Sequence, residues 1–148
     1  MSFQKSRRHA REAALKTLYM WEIGQNTPQL SVNAYFLEHD PKAAEDVKAF
    51  ASELVFGTSN EKTALDAALE PHIQGWRIER LAVLDRMILR MALWEMNHHP
   101  ETPPAVVINE AMELARLFTS EDAVKFINGV LDAARGGHTK NDAARGKK

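Results

Sequence analysis

Apolar residues recur every three to four positions along almost the whole chain, and no segment alternates apolar and polar residues with a period of two. That rhythm gives a helix one face to bury and gives a strand none, so it points to an all-α fold. In the first segment Ala10, Ala13, Ala14, Thr17, Leu18 and Trp21 fall on one stripe, ended by Gly24 and then Pro28. A short helix is expected from about Leu30 to Glu38, and a third from Asp40-Pro41 through Val47, Phe50, Leu54 and Val55. Asn60 can cap a fourth, which carries Leu65 and Leu69 and stops at Pro71. The longest is expected over Glu79–Asn97, burying Leu81, Leu84, Ile88, Met91 and Ala92 behind a wet stripe of Glu79, Arg86, Arg90 and Asn97. Pro104 suits the first position of a sixth helix, and Thr119 with Asp122 has the spacing of a capping box for the last. Gly136-Gly137 should stop that helix. The expectation is therefore about seven helices over 1–135, with 136–148 a disordered basic tail.

With 148 residues the chain is one domain or two small helical halves sharing one core. It holds no cysteine, which excludes disulfide frameworks and thiolate metal sites. The start MSFQKSRRHAR is basic but leads into no apolar signal-peptide core, and no run approaches the ~18 apolar residues of a membrane span. A cytoplasmic protein with no membrane association is the expectation. Phosphate loops, HExxH and nucleophile elbows are all missing, so no enzyme and no cofactor are expected. His98-His99 lies near Glu95 and Glu101, but adjacent helical residues point roughly 100° apart and cannot chelate one ion together. No metal is expected.

The net charge of −1 hides an asymmetry. Residues 1–16 carry five cations against Glu12, net +4, and the last fourteen residues are again +4, leaving −9 on the body between. Basic ends on an acidic body suit a polyanion at one place and a basic protein at another. Arg7, Arg8 and Arg11 open a helix, where cations oppose the helix dipole, so stability does not explain them. Their guanidinium forks suit phosphate. Asp122, Lys125 and Phe126 share one edge of the last helix at the border of its core stripe. An aromatic beside a lysine can stack an unpaired base and neutralise its phosphate, and a marginal core phenylalanine is the plainer alternative. Asp85 falls inside the apolar arc of its helix, suited either to a basic docking partner or to an internal salt bridge. Trp21, Trp76 and Trp94 read as core or half-buried anchors, Met87, Met91 and Met96 as core filler, and Gly129 as allowing close helix packing.

Three blocks carry a family resemblance. The opening RRHAREAALKTLYMWE resembles the start of NusB proteins, where an arginine-rich turn leads into A-R-E, then L-Y, then W. The centre, RLAVLDRMILRMALWEM, is similar to that family's long core helix. PPAVVINEAMELARLFTSEDAVKFINGVLD resembles its most distinctive block, with V-I-N-E-A and K-F-I-N-G-V-L-D in order. The likeness runs over residues 5–134 and is loosest over 29–78. It implies an all-α fold of two helical bundles packed together. It further implies binding of single-stranded boxA RNA in nascent transcripts, notably ribosomal RNA leaders. Binding would occur with NusE, which is also a small-subunit ribosomal protein, and the complex would help RNA polymerase read through terminators.

By position, the resemblance places Arg7, Arg8 and Arg11 in the RNA-binding arginine motif and Asp122, Lys125 and Phe126 at a second RNA-facing edge. It places Tyr19, Glu79 and Asp85 at the NusE surface, and His9 where a third consecutive arginine often stands. Some relatives self-associate, so monomer and homodimer both stay open. A helical protein–protein adaptor is the rival reading. A NusB-like domain also fronts some RNA methyltransferases, but no Gly-rich cofactor strand follows here.

Overall fold

The computed structural model describes residues 2–24, 26–75 and 77–147, with side chains as far as 135. Two compact units divide the chain, Met1–Lys62 and Thr63–Lys148. The described residues contain seven α-helices, two short 3-10 turns and no strand.

The first unit is a three-helix bundle of α1 (Phe3–Ile23), α2 (Pro28–His39) and α3 (Glu45–Asn60), each packed on the other two. Local chemistry sets the ends. The Ser2 side chain caps α1 by accepting from the Lys5 N–H at 3.2 Å, and Thr27 does the same for Leu30 at 3.2 Å, with Pro28 at the first helical position of α2. Gly24 closes α1, and a Cβ there would come within 2.9 Å of the Met20 carbonyl oxygen, so only glycine fits. The stripe Ala10, Ala13, Ala14, Thr17 and Leu18 is buried as the spacing requires. Thr17 sits in that apolar face because its hydroxyl donates to the Ala13 carbonyl at 2.8 Å. The expected start of α3 at Asp40-Pro41 is wrong: Asp40 instead ends α2, its N–H bonded to the Phe36 carbonyl. Helix α3 begins at Glu45, where Glu45 and Asp46 complement its N-terminal dipole.

The second unit is formed around α5 (Val83–His98), α6 (Pro104–Phe118) and α7 (Glu121–Lys147), again mutually packed. Helix α4 (Lys62–Leu69), whose first residue belongs to the other unit, leads into them through 3-10 turns at Glu70–His72 and Ile78–Arg80. Glu70 spans the intervening loop by accepting from the Ile78 N–H at 3.1 Å, and Gly75 supplies its one left-handed residue at φ 72°. Helix α5 starts four residues later than the sequence suggests, because Leu81 and Ala82 are extended. Arg86 holds that entry by donating to the Glu79 and Leu81 carbonyls at 3.1 and 2.9 Å. Nor is α5 the longest helix, having 16 residues against 21 in α1. Ser120, not Thr119, caps α7 by accepting from the Ala123 N–H, while Thr119 closes α6 onto the Ala115 carbonyl. The expected stop at Gly136-Gly137 does not occur, because α7 continues through both glycines to Lys147, and over 136–148, where a disordered tail was expected, no side chain is described. Trp76 too lies outside the described residues, whereas Trp94 is buried and Trp21 half-buried.

One correction carries energetic weight. Arg90, expected on the wet stripe, is 1% exposed. Its Nε and Nη2 donate to the two Asp66 carboxylate oxygens at 2.7 and 3.0 Å, a bidentate pair joining α5 to α4. Burying a guanidinium is tolerable only with such a partner. Asp66→Ala should therefore destabilise the protein by about 3 kcal/mol, because it strands a buried cation. Arg90→Met combined with Asp66→Ala should recover most of that loss, as measured by urea unfolding.

Candidate nucleic-acid interface

The basic end of α1 is built by the bundle beneath it. One face of the helix is outermost, and Lys5, Arg8, Lys16 and Tyr19 lie exposed along it. Arg7 is half-buried, its Cζ 3.7 Å from the Phe50 ring centroid and 4.6 Å from that of Phe3. Arg11 is sunk at 5% exposure, with its Cζ 5.8 Å from the same Phe50 ring. Phe50, on α3, thus carries two of the three arginines by cation–π contact. The order of exposure among them is Arg8, then Arg7, then Arg11. Of the three guanidinium groups, that of Arg8 is on the exposed face.

His9 sits between these groups and bonds through Nε2 to Asp40 Oδ2 at 2.7 Å, tying α1 to the end of α2. Tyr35, on α2, has its phenol pushed up by burial and, less, by the charges of Asp40 and Glu12. Sequence reasoning missed both supports. Phe50 read only as core, and Asp40 only as a helix start.

In the second unit Asp122 and Lys125 are exposed on the first two turns of α7 and Phe126 is half-buried beside them. Ala123, Val124, Ile127, Val130 and Leu131 form the buried side, which puts Phe126 at the border as its spacing predicted. Gly129 makes no close helix contact among the described residues: a Cβ built there would have no neighbour within 4 Å. That expectation is overturned.

The residues assigned to a protein partner divide the same way. Tyr19 lies on α1, 38% exposed, in the first unit. Glu79 is exposed in the second 3-10 turn, and Asp85 lies half-buried in the first turn of α5. The Asp85 Oδ1 atom is buried without a hydrogen-bond partner. Among the described residues no ion pair is formed by Asp85. Burial pushes its pKa up, outweighing the favourable helix N-terminus.

His98 and His99 make separate contacts. His98 stacks on Trp94 with centroids 4.6 Å apart, while His99 Nδ1 lies 2.6 Å from Glu101 Oε2. No cluster of three or more His, Cys, Asp or Glu able to hold a metal exists among the described residues. No described helix is long and apolar enough to cross a membrane.

Asp85 yields a signed pH dependence. A carboxyl whose folded pKa is raised binds its proton more tightly when folded, so its contribution to stability is fullest below the usual aspartate value of about 4 and is lost as pH rises through the raised value. Asp85→Asn should melt at or above the parent temperature at pH 7, and the gap should close by pH 3.5. Thermal melts across that range check it; a variant less stable at pH 7 than at pH 3.5, each relative to the parent, would refute the assignment.

Known proteins match this arrangement. A model of the NusB family matches residues 8–135. The transcription antitermination protein NusB of Solibacter usitatus is 42% identical over 132 residues, covering 88% of each chain. Its counterpart in Bacillus cereus is 40% identical over 126 residues, 84% of this chain and 93% of its own. Among solved structures, a chain in the crystal structure of antitermination factors NusB and NusE in complex with dsRNA aligns with TM-score 0.80 and 27% identity, over 88% of this chain and 96% of that one. The solution structure of NusB from Aquifex aeolicus aligns with TM-score 0.79 and 28% identity, over 92% and 91%. Matched across both of its units by a family model and by relatives over nearly their full length, the chain belongs to the NusB family.

Proposed function

We propose that this chain is a transcription antitermination factor of the cytoplasm that binds boxA RNA in nascent ribosomal RNA transcripts together with NusE and promotes read-through by RNA polymerase. The observation that carries the reading is the match to relatives named for antitermination, joined to a structural neighbour that holds NusB, NusE and RNA in one complex. The chain's own chemistry supports it. Arg8 and the half-buried Arg7 offer guanidinium forks to phosphate, and Lys125 beside Phe126 offers a cation next to an aromatic face. Arg11 is buried beneath them beside Phe50 and is proposed as the inner member of the same arginine group. Tyr19, Glu79 and Asp85 are proposed as the contacts to NusE, whose basic character the −9 body and the unmet Asp85 carboxylate would suit. The role is binding and assembly, without catalysis or cofactor.

The deciding experiment is RNA binding by the purified chain, alone and with NusE, at two salt concentrations. The probe is a boxA-containing leader, set against a scrambled RNA and against the duplex form, since the neighbour's RNA is double-stranded. Sequence-preferring binding that tightens with NusE and weakens steeply with salt is expected. Arg8→Ala should lower affinity about fivefold and reduce the salt slope by about one unit. Phe126→Leu, which keeps the packing, should lower affinity with the slope unchanged, as expected for lost stacking. Helicity should be unaltered in both. Full affinity in both variants would remove the site assignment, and no binding to any RNA even with NusE would leave a protein–protein adaptor.

A further inference from the structure

Gly129 stands in the middle of the exposed arc of α7, and nothing inside the chain asks for a glycine there. Its backbone is ordinary helix, since Gly75 is the one glycine of positive φ among the described residues. It is no helix end, because α7 runs from Glu121 to Lys147. It makes no room for a neighbour among the described residues, because a Cβ built on it would meet none of their heavy atoms within 4 Å. Yet an exposed glycine inside a helix is a destabilising choice relative to alanine, through lost backbone entropy. A left-handed backbone, a helix terminus and close packing are the usual reasons for glycine, and all three are absent. What remains is an object that approaches α7 from outside.

Position indicates what that object is. Lys125 and Phe126 stand one turn earlier, at i−4 and i−3, and flank Gly129 on the same exposed side. A strand that stacks a base on Phe126 and sets a phosphate by Lys125 must run its sugar–phosphate chain over the helix surface next to them. The exposed carboxylates Asp122 and Asp132 bracket that stretch along the axis, and Lys125 is its only cation. Phosphate is thereby confined to the span between them, where the missing side chain lets it reach the helix. We propose that Gly129 is a close-approach position for RNA, seating the sugar–phosphate backbone of a strand whose base stacks on Phe126. This rests on the RNA-facing reading of the α7 edge given above.

The test uses the full chain carrying Gly129→Ala, Gly129→Gln or Lys125→Gln, with the melting temperature and the Kd for boxA leader RNA measured on each. Both glycine variants should melt about 2–4 °C higher, because a better helix former replaces glycine. Both should bind RNA more weakly, with Gly129→Gln losing at least about tenfold, as an overpacked contact does. A gain in stability with a loss of affinity separates a bare docking surface from a structural role, which would move the two together. If Lys125→Gln weakens binding while Gly129→Gln binds as tightly as the parent, the close approach is refuted and the edge stands. If neither variant alters Kd, the RNA-facing reading of α7 fails, and this inference fails with it.

Discussion

Helix α5 is enclosed on every side over Met87–Glu95, an unbroken buried run of more than two turns. A helix so placed has no wet face on which to park a charge, and yet Arg90 lies in the middle of it. The pair with Asp66 makes this tolerable by bringing a carboxylate from α4 to meet Nε and Nη2 of the guanidinium. Much of the second unit follows from the enclosure. Helices α6 and α7 must each offer α5 an apolar face, which leaves their outer faces to carry polar chemistry. The exposed edge of α7 is what remains when Ala123, Ile127, Val130 and Leu131 have been spent on the core.

The first unit handles its charges differently. Three arginines at the start of a helix repel one another and oppose its dipole. The bundle offsets this with the Phe50 ring under Arg7 and Arg11, and with an Asp40 carboxylate beside His9. The result is a graded surface in which one guanidinium is presented, one is half-held and one is sunk.

The helical period was readable because it is local. The α1 stripe, its stop at Gly24, the second helix and Pro104 at the head of α6 all depend on neighbours within a turn or two, and all stand where the spacing places them. Failures cluster where a distant residue decides. Arg90 could not be read as buried without knowing that Asp66, 24 positions away, would face it. The late start of α5 depends on Arg86 reaching back to two loop carbonyls, and Asp40 ends a helix because α2 claims its N–H. Ser120 and Thr119 are equivalent as caps in one dimension and distinct only once α6 takes the latter. For the candidate site, residue types and their edge of the helix were legible, whereas exposure was not. Nothing in RRHAR says which arginine turns inward, because Phe50 decides that from another helix.

The unbroken course of α1 has a consequence for assembly. Arg8 and Tyr19 lie eleven residues apart on its exposed face, about 16 Å along one axis at 1.5 Å per residue, with no joint between them. A strand held at the first and a protein held at the second would share a rigid spacer instead of a linker. If that protein also touches the strand, its contact becomes intramolecular, at an effective concentration fixed by the helix geometry. Two individually weak contacts would then act as one strong one, and the helix would serve as a ruler that rewards only partners cut to its length.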